Sequence, residues 1–168
     1  MSPVTLILGG ARSGKSRFAE SLARGFEGRK TYIATAEPFD DEMHQRIAKH
    51  RDDRAGDGWE TIEAPLDPAS AIRAAEGLVL MDCVTVWLGN LMHHERDLRA
   101  GVSGLGVALR DAQARIILVS NEVGLSIVPE NAMARRFRDE QGFANQRLAE
   151  VADEVFFVAA GLPLKLKG

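Results

Sequence analysis

Cysteine is almost absent from this chain, and that scarcity excludes two kinds of site. Cys83 is the only cysteine among 168 residues. A single thiol can form neither an internal disulfide framework nor a zinc site built from cysteines. The hydrophobic content of 45% is enough for a good core, so we expect one globular domain spanning residues 1–168.

The sequence also lacks long apolar runs and any large excess of one charge. No run approaches the roughly 20 residues that span a bilayer, so stable membrane insertion is not expected. Lysine and arginine number 21 against 24 aspartates and glutamates, which predicts no nucleic-acid-binding or anionic-membrane surface. The first strand is expected close to the N-terminus and leaves no room for a signal peptide, so we expect a cytoplasmic protein.

A phosphate-binding motif stands near the start of the chain. Residues 9–16 read GGARSGKS and match the pattern G-x-x-x-x-G-K-S/T. A short apolar strand at 4–8 precedes the motif, and a helical pattern at 17–24 follows it. This order predicts a loop whose backbone N–H groups, helix dipole and Lys15 hold the phosphates of a nucleoside triphosphate, with the Ser16 hydroxyl on Mg²⁺. The alternative is an ordinary glycine-rich turn between a strand and a helix.

Apolar strands alternate with helical patterns along the rest of the chain. This alternation predicts an α/β fold, with a mainly parallel sheet covered by helices on both faces. Further strands are expected at 30–35, 59–63, 77–82, 115–120, 154–159 and 162–167. In such sheets ligands bind at the carboxyl ends of the strands, which directs attention to Thr35, Asp82 and Asn121.

Two stretches are harder to interpret. Arg96 to Gly106 contains three glycines and predicts a flexible crossing loop, with a helix only from Val107. A long helix is expected from Glu130 to about Val151, with a possible interruption at Gly142.

Asp82 closes a buried apolar strand. A carboxylate in that place, near a phosphate loop, can hold Mg²⁺ or its water shell. Aspartate also begins ordinary turns, and this remains the alternative interpretation.

The segment from Asp40 to Arg54 predicts a helix with a basic stripe. Arg46, His50 and Arg54 follow i, i+4, i+8 spacing and share one side of that helix. Two guanidiniums beside an imidazole attract polyphosphate and favour the neutral, nucleophilic ring. On spacing alone, a solvated charged helix with an incidental histidine is the better interpretation.

The loop at 121–131 mixes carboxylates, amides and glycine. It could form part of a substrate wall or simply lead into the next helix. No Asn-Lys-x-Asp guanine motif occurs in the chain, which argues against a Ras-like switch GTPase.

Nine motifs in a fixed order resemble a known family. They are GGARSGKS (9–16), YIATA (32–36), DDEM (40–43), R-I-x-x-H-R (46–51), Trp59 with Glu63, LMDCVTVW (80–87), SNEVG (120–124), VPEN (128–131) and F-R-D-x-x-G-x-x-N-Q (137–146). The chain resembles the bifunctional adenosylcobinamide kinase / adenosylcobinamide-phosphate guanylyltransferase family of cobalamin biosynthesis. The likeness extends over nearly the whole chain, and only the glycine-rich stretch after Arg96 matches none of these motifs.

The resemblance implies two reactions on a RecA-like P-loop fold. A nucleoside triphosphate, ATP or GTP, phosphorylates the aminopropanol hydroxyl of adenosylcobinamide. GMP from GTP is then transferred to that phosphate, which gives adenosylcobinamide-GDP and pyrophosphate. The family's R-I-x-x-H-R histidine carries GMP covalently, and here that residue is His50, which reverses the interpretation from spacing. The resemblance also implies a homotrimer.

The same resemblance implies a set of site residues. Lys15 and His50 would be catalytic, and Ser16 and Asp82 would hold Mg²⁺. The nucleotide-binding residues would be Gly9, Gly10, Ala11, Arg12, Ser13, Gly14, Lys15, Ser16, Ala34, Thr35, Ala36, Arg51, Asp52, Asp53, Arg54, Glu63 and Asp82. Two alternatives remain open: a P-loop small-molecule kinase in which His50 only clamps substrate, and a nucleotide-binding regulatory protein.

Overall fold

A computed structural model of the chain describes residues 2–39 and 41–168. Within that range, the side chains of Met43, Arg46, His50 and Asp53 lie outside the description.

In the part of the chain that the structure describes, seven strands form one sheet. They are β1 (Val4–Gly9), β2 (Lys30–Ala34), β3 (Trp59–Glu63), β4 (Leu78–Asp82), β5 (Arg115–Asn121), β6 (Glu154–Ala159) and β7 (Leu162–Lys167). Their order across the sheet is β3-β2-β4-β5-β1-β6-β7. The first six strands are parallel, and β7 pairs antiparallel with β6 at one edge. The strand that closes the chain is therefore a hairpin return rather than another crossover.

Within residues 2–39 and 41–168, six helices connect these strands. They are α1 (Lys15–Ala23), α2 (Asp41–Gly56), α3 (Pro68–Ala74), α4 (Val84–His93), α5 (Leu98–Asp111) and α6 (Ala132–Val151).

The strands bury side chains on both faces of the sheet. In β5, Ile116 and Leu118 join a core cluster that includes residues of α3, α4, α5 and α6. Ile117 and Val119 point the other way, into a second cluster with Ala19 of α1. Strand residues alternate between faces, so near-continuous apolar strands require helices on both sides. The predicted fold class, a mainly parallel sheet between helices, is confirmed.

The prediction of a crossing loop from Arg96 to Gly106 is wrong, because α5 occupies most of that segment. Asp97 caps the helix, and its carboxylate accepts a hydrogen bond of 3.0 Å from the Ala100 N–H. Apolar side chains at Leu98, Val102, Leu105 and Leu109 then repeat with helical spacing and are buried. Burial of this stripe outweighs the low helix propensity of the glycines, each of which costs about 1 kcal/mol.

One of those glycines has a packing role. A Cβ on Gly101 would lie 2.8 Å from Leu91 Cδ1 and 3.4 Å from Trp87. Glycine therefore lets α5 approach α4 closely. By contrast, a Cβ on Gly104 would meet nothing within 4 Å.

The possible interruption at Gly142 does not occur, and α6 is continuous. The helix begins at Ala132 rather than Glu130, because the Asn131 side chain caps it by accepting a 2.7 Å hydrogen bond from the Ala134 N–H. None of the helices described here is both long and apolar enough to cross a membrane.

The sheet order brings distant segments to one edge. Because β5 lies between β1 and β4, Gly9 aligns with Asn121, and Asp82 aligns with Val119. On the other side of β4, Asp82 aligns with Ala34 of β2. The loop after β1 and the ends of β4 and β2 thus share the carboxyl edge of the sheet.

Candidate functional site

The loop between β1 and α1 is compact and depends on glycine at two positions. Gly14, the residue before α1, has φ of 96°, and a Cβ there would lie 3.0 Å from Gly161 Cα. A Cβ on Gly9 would lie 2.5 Å from Ser13 Oγ and 2.7 Å from the Val158 carbonyl oxygen. Larger residues would have to displace these neighbours, so the fold of the loop requires glycine at positions 9 and 14.

Lys15 is folded over this loop. Its ammonium donates a 3.0 Å hydrogen bond to the Gly10 carbonyl oxygen, and the side chain is half-buried rather than fully solvated. A cavity of about 470 Å³ adjoins it, lined by Arg12, Ser13, Gly14, Lys15, Ser16, Arg17 and Gly161. A helix N-terminus and a lysine ammonium beside one open cavity form a favourable place for an anion.

The carboxylate of Asp82 lies next to the first turn of α1. Its Oδ2 accepts hydrogen bonds of 3.2 Å from both Ser16 Oγ and the Tyr32 hydroxyl. Burial, and then the negative charge of Asp82, raise the pKa of Tyr32 far above its usual value. The phenol therefore stays protonated and acts as a donor.

Ser16 and Asp82 fit a magnesium ion. Mg²⁺ prefers hard oxygen ligands and is commonly bound by one or two carboxylates together with substrate phosphates. Across residues 2–39 and 41–168, as far as side chains are described, no group of three or more histidine, cysteine, aspartate and glutamate side chains could hold an ion. A hydroxyl and a carboxylate beside a phosphate loop suit an ion that arrives with its nucleotide.

Arg54, in the last turn of α2, reaches the same place. Its guanidinium lies over the Tyr32 ring, with 3.8 Å between the guanidinium carbon and the ring centroid. Trp59 contacts the ring edge-on at a centroid distance of 6.1 Å. Tyr32 thus has a carboxylate at its hydroxyl and a cation on its face. Tyr32 begins the motif YIATA (32–36), but no site role was predicted for it; its alternation with Ala34 in β2 was the available signal, since both face α1.

A larger cavity of about 560 Å³ extends from Ser16 and Asp82 to Arg54. Ala34, Thr35 and Ala36 also line it. A further cavity of about 210 Å³ shares Ala36 and reaches Arg51 and Glu63, whose side chains are 3.8 Å apart. Because Ser16 also lines the cavity at the phosphate loop, the three cavities adjoin one another. Residues from separate parts of the sequence-predicted site therefore line one continuous track of three cavities, which runs from Lys15 past Asp82 to Glu63.

Two residues in this region have their polar groups committed to the backbone. Thr35 is fully buried, and its Oγ1 both donates to the Cys83 carbonyl and accepts from the Cys83 N–H, at 2.9 Å each. The Cys83 thiol is also buried, which, together with the Asp82 charge, raises its pKa to about 11. Thr35 therefore joins β2 to the residue after Asp82, and Cys83 is a poor nucleophile at neutral pH.

The remaining predicted residues are placed less centrally or lie outside the description. Asp52 is exposed, with a carboxylate oxygen 3.9 Å from Arg51 Nε. His50 lies within α2, but its side chain and that of Asp53 are outside the described residues. The structure thus locates α2, the helix that carries His50. The contacts of the His50 imidazole lie outside the described residues.

The sequence model of one family matches nearly the whole chain. That family is described as cobinamide kinase / cobinamide phosphate guanyltransferase, and the match covers residues 5–166. The chain belongs to this family. The resemblance found from the motifs is confirmed.

Two relatives illustrate how similar this family member is to other proteins. The bifunctional adenosylcobalamin biosynthesis protein CobP of Pseudomonas aeruginosa is 46% identical over 168 residues, covering 97% of this chain and 96% of the relative. The bifunctional adenosylcobalamin biosynthesis protein CobU of Salmonella typhimurium is 41% identical, covering 96% of this chain and 98% of the relative. The chain therefore spans almost the full length of both.

Solved structures at much lower identity share the fold of this family member. The RadB recombinase superposes with a TM-score of 0.53 at 16% identity, covering 92% of this chain and 73% of the recombinase. An ATPase from a type III secretion system superposes with a TM-score of 0.51 at 15% identity, covering 97% of this chain and 56% of the ATPase. These likenesses confirm the P-loop fold.

Proposed function

We propose that this protein phosphorylates adenosylcobinamide and then transfers GMP from GTP onto the new phosphate. The observation that carries the proposal is the meeting of Ser16 and Asp82 beside the phosphate loop, in a member of the cobinamide kinase / cobinamide phosphate guanyltransferase family. Curated relatives that cover nearly the whole chain are called bifunctional adenosylcobalamin biosynthesis proteins, which supports both activities residing in this one domain, residues 1–168.

In the kinase step, the aminopropanol hydroxyl oxygen attacks the γ-phosphorus of ATP or GTP. A P–O bond forms, the bond from the γ-phosphorus to the β-phosphate oxygen breaks, and the hydroxyl proton is lost. Lys15 and the N-terminus of α1 stabilise the charge that develops on the phosphate oxygens. A magnesium ion held by Ser16 and Asp82 supplies further charge neutralisation when bound.

In the guanylyl step, an imidazole nitrogen of His50 attacks the α-phosphorus of GTP. A P–N bond forms and pyrophosphate leaves with the electrons of the broken P–O bond. The phosphate oxygen of adenosylcobinamide phosphate then attacks the same phosphorus and displaces His50. The first displacement uses an uncharged imidazole nitrogen, and the second takes place after the negatively charged pyrophosphate has left, so each step is easier than a direct attack of adenosylcobinamide phosphate on GTP.

The cavity near Glu63 supports guanine as the base in this step. Guanine presents N–H donors on the edge where adenine lacks a matching pair, and a carboxylate accepts such donors. Glu63 and Arg51 lie together in the cavity that adjoins Ala36. We assign that cavity to the guanine base, with the triphosphate running towards Lys15.

The protein is further proposed to act in the cytoplasm and to form a homotrimer. Its partners would be nucleotides and the corrinoid, with no nucleic acid. The roughly balanced charge of the chain is consistent with small-molecule substrates.

The experiment that tests this function supplies adenosylcobinamide, GTP and Mg²⁺ and identifies the products by mass. We expect adenosylcobinamide phosphate first and adenosylcobinamide-GDP with pyrophosphate later. A kinase alone would stop at the phosphate, and a nucleotide-binding regulator would make neither product. Either of those results would contradict the proposed function.

A further inference from the structure

Tyr32 occupies a place that neither proposed reaction uses directly. It is the only tyrosine in the chain, and only 9% of it is exposed. Its hydroxyl donates to Asp82 and its ring supports Arg54. The residue therefore contacts the proposed metal-binding carboxylate and the last turn of α2 at the same time.

The hydrogen bonds at Asp82 favour one orientation of its carboxylate. Among the described residues, the two side chains that donate to it, Ser16 and Tyr32, both bond to Oδ2. If an ion recruits the Ser16 hydroxyl, the Tyr32 hydroxyl remains as the donor that fixes the carboxylate. Hydrogen bonds to charged groups are stronger than neutral ones, so the loss of this donor should be measurable.

The ring of Tyr32 has a separate role at α2. A guanidinium 3.8 Å from the ring centroid is well within the range of a cation–π contact. Arg54 is in the last turn of the helix that also carries His50. Packing of Arg54 on the ring therefore holds that end of α2 against the sheet at β2.

We propose that Tyr32 is a positioning residue that orients Asp82 through its hydroxyl and anchors the C-terminal end of α2 through its ring. Tyr32 would then hold two parts of the proposed site in register: Asp82, the carboxylate proposed to bind the metal, and α2, the helix that carries His50. The consequence for guanylyl transfer rests on the proposed function, whereas the two structural roles do not.

Two substitutions separate the two roles. Tyr32→Phe keeps the ring and removes the hydroxyl, and Tyr32→Leu removes both. Trp59→Phe is the matched control, because Trp59 packs against Tyr32 without a described contact to Asp82 or Arg54. Tyr32→Met replaces Tyr32→Leu if the leucine variant does not fold.

The hydroxyl is tested by calorimetric binding of a non-hydrolysable GTP analogue across a Mg²⁺ titration, which needs no turnover. Mg²⁺ should increase the affinity for the analogue. In Tyr32→Phe we expect the Mg²⁺ concentration that gives half of this increase to rise about tenfold, because a hydrogen bond to a charged carboxylate is lost. Metal-free binding should change less than about twofold, and Trp59→Phe should match wild type. An unchanged Mg²⁺ dependence in Tyr32→Phe would overturn the role of the hydroxyl.

The ring is tested by amide hydrogen exchange of residues 51–56. We expect exchange there to accelerate at least about tenfold in Tyr32→Leu, while Tyr32→Phe stays near the wild-type rate. Equal protection in both variants would overturn the role of the ring. If wild type forms no product, the proposed function fails, yet both of these measurements still decide the role of Tyr32.

Discussion

Lys15 places a positive charge beside the cavity at the phosphate loop, yet it contributes little to the folded core. Its ammonium bonds the Gly10 carbonyl at the surface of the loop. Lys15→Ala should therefore weaken triphosphate binding by about 100-fold or more, or about 2.7 kcal/mol, and abolish both reactions. The free energy of unfolding should change by less than about 1 kcal/mol.

Calorimetric nucleotide binding and denaturant unfolding check this prediction. Lys165→Ala is the matched control, since Lys165 of β7 pairs with the half-buried Glu154 of β6 and lines none of the three cavities. Normal turnover by a well-folded Lys15→Ala protein would remove the basis for the phosphate-loop assignment.

Cys83 is a nucleophilic residue type beside Asp82, but its environment keeps the thiol neutral. Burial and then the Asp82 charge raise its pKa to about 11, so the thiolate fraction is small at every pH well below that value. We expect slow alkylation by iodoacetamide at pH 8, and full retention of covalent GMP labelling in Cys83→Ala. Loss of the label from a folded Cys83→Ala protein would contradict the assignment of His50 as the nucleophile.

At the scale of elements, the contact between α4 and α5 depends on one small residue. A Cβ on Gly101 would press on buried Leu91, whereas a Cβ on Gly104 would meet open space. Gly104→Ala should stabilise the helix by about 0.5–1 kcal/mol. In Gly101→Ala the same gain should be cancelled, because the new methyl group would press on Leu91. The free energy of unfolding of Gly101→Ala should therefore be about 1 kcal/mol or more below that of Gly104→Ala.

Urea unfolding of both variants, in the same buffer, measures this difference. Equal gains in stability would mean that α5 does not approach α4 as closely as described.

The elements that the sequence predicts well are those whose residues all favour the same structure. In β5, a short apolar run rich in β-branched residues favours a strand buried on both faces, and GGARSGKS favours both a turn and a helix start. In α5, glycines and buried leucines favour different structures, and only the packing partner Leu91 decides between them. A single sequence does not reveal that partner.

The same reason explains which site residues were found. Lys15, Ser16 and Asp82 belong to local patterns with a chemical meaning. Tyr32 begins the motif YIATA, but that motif assigns it no chemistry, and its proposed role rests on two partners 22 and 50 positions away, Arg54 and Asp82. Contacts between distant segments depend on the order of strands in the sheet, which periodicity alone does not determine.

At the scale of the whole molecule, the proposed site is assembled by strand order. The carboxyl ends of β1, β2 and β4 share one edge because these strands are parallel, with β5 between β1 and β4. The resulting track of three cavities lies open on one edge. Since a corrinoid ring is large, we expect the proposed corrinoid substrate to lie partly outside a domain of this size.

The homotrimer is a prediction at this scale. Exposed apolar side chains, among them Leu125, Ile127 and Met133, leave apolar surface that a subunit contact could cover. Sedimentation equilibrium at micromolar concentration should give about three times the 18.3 kDa chain mass. A monomer would contradict both the trimer and any site shared between subunits.

The most direct test of the central claim is covalent labelling by GTP that carries a radioactive α-phosphate. With wild-type protein and Mg²⁺, we expect an adduct that is labile to acid and stable to alkali, as a phosphoramidate is, on the peptide containing His50. His50→Ala should lose the adduct and guanylyl transfer while retaining kinase activity at least in part, because the γ-phosphate reacts at the loop around Lys15. The absence of any adduct during turnover, or its location on another residue such as His44 or Lys49, would contradict the account.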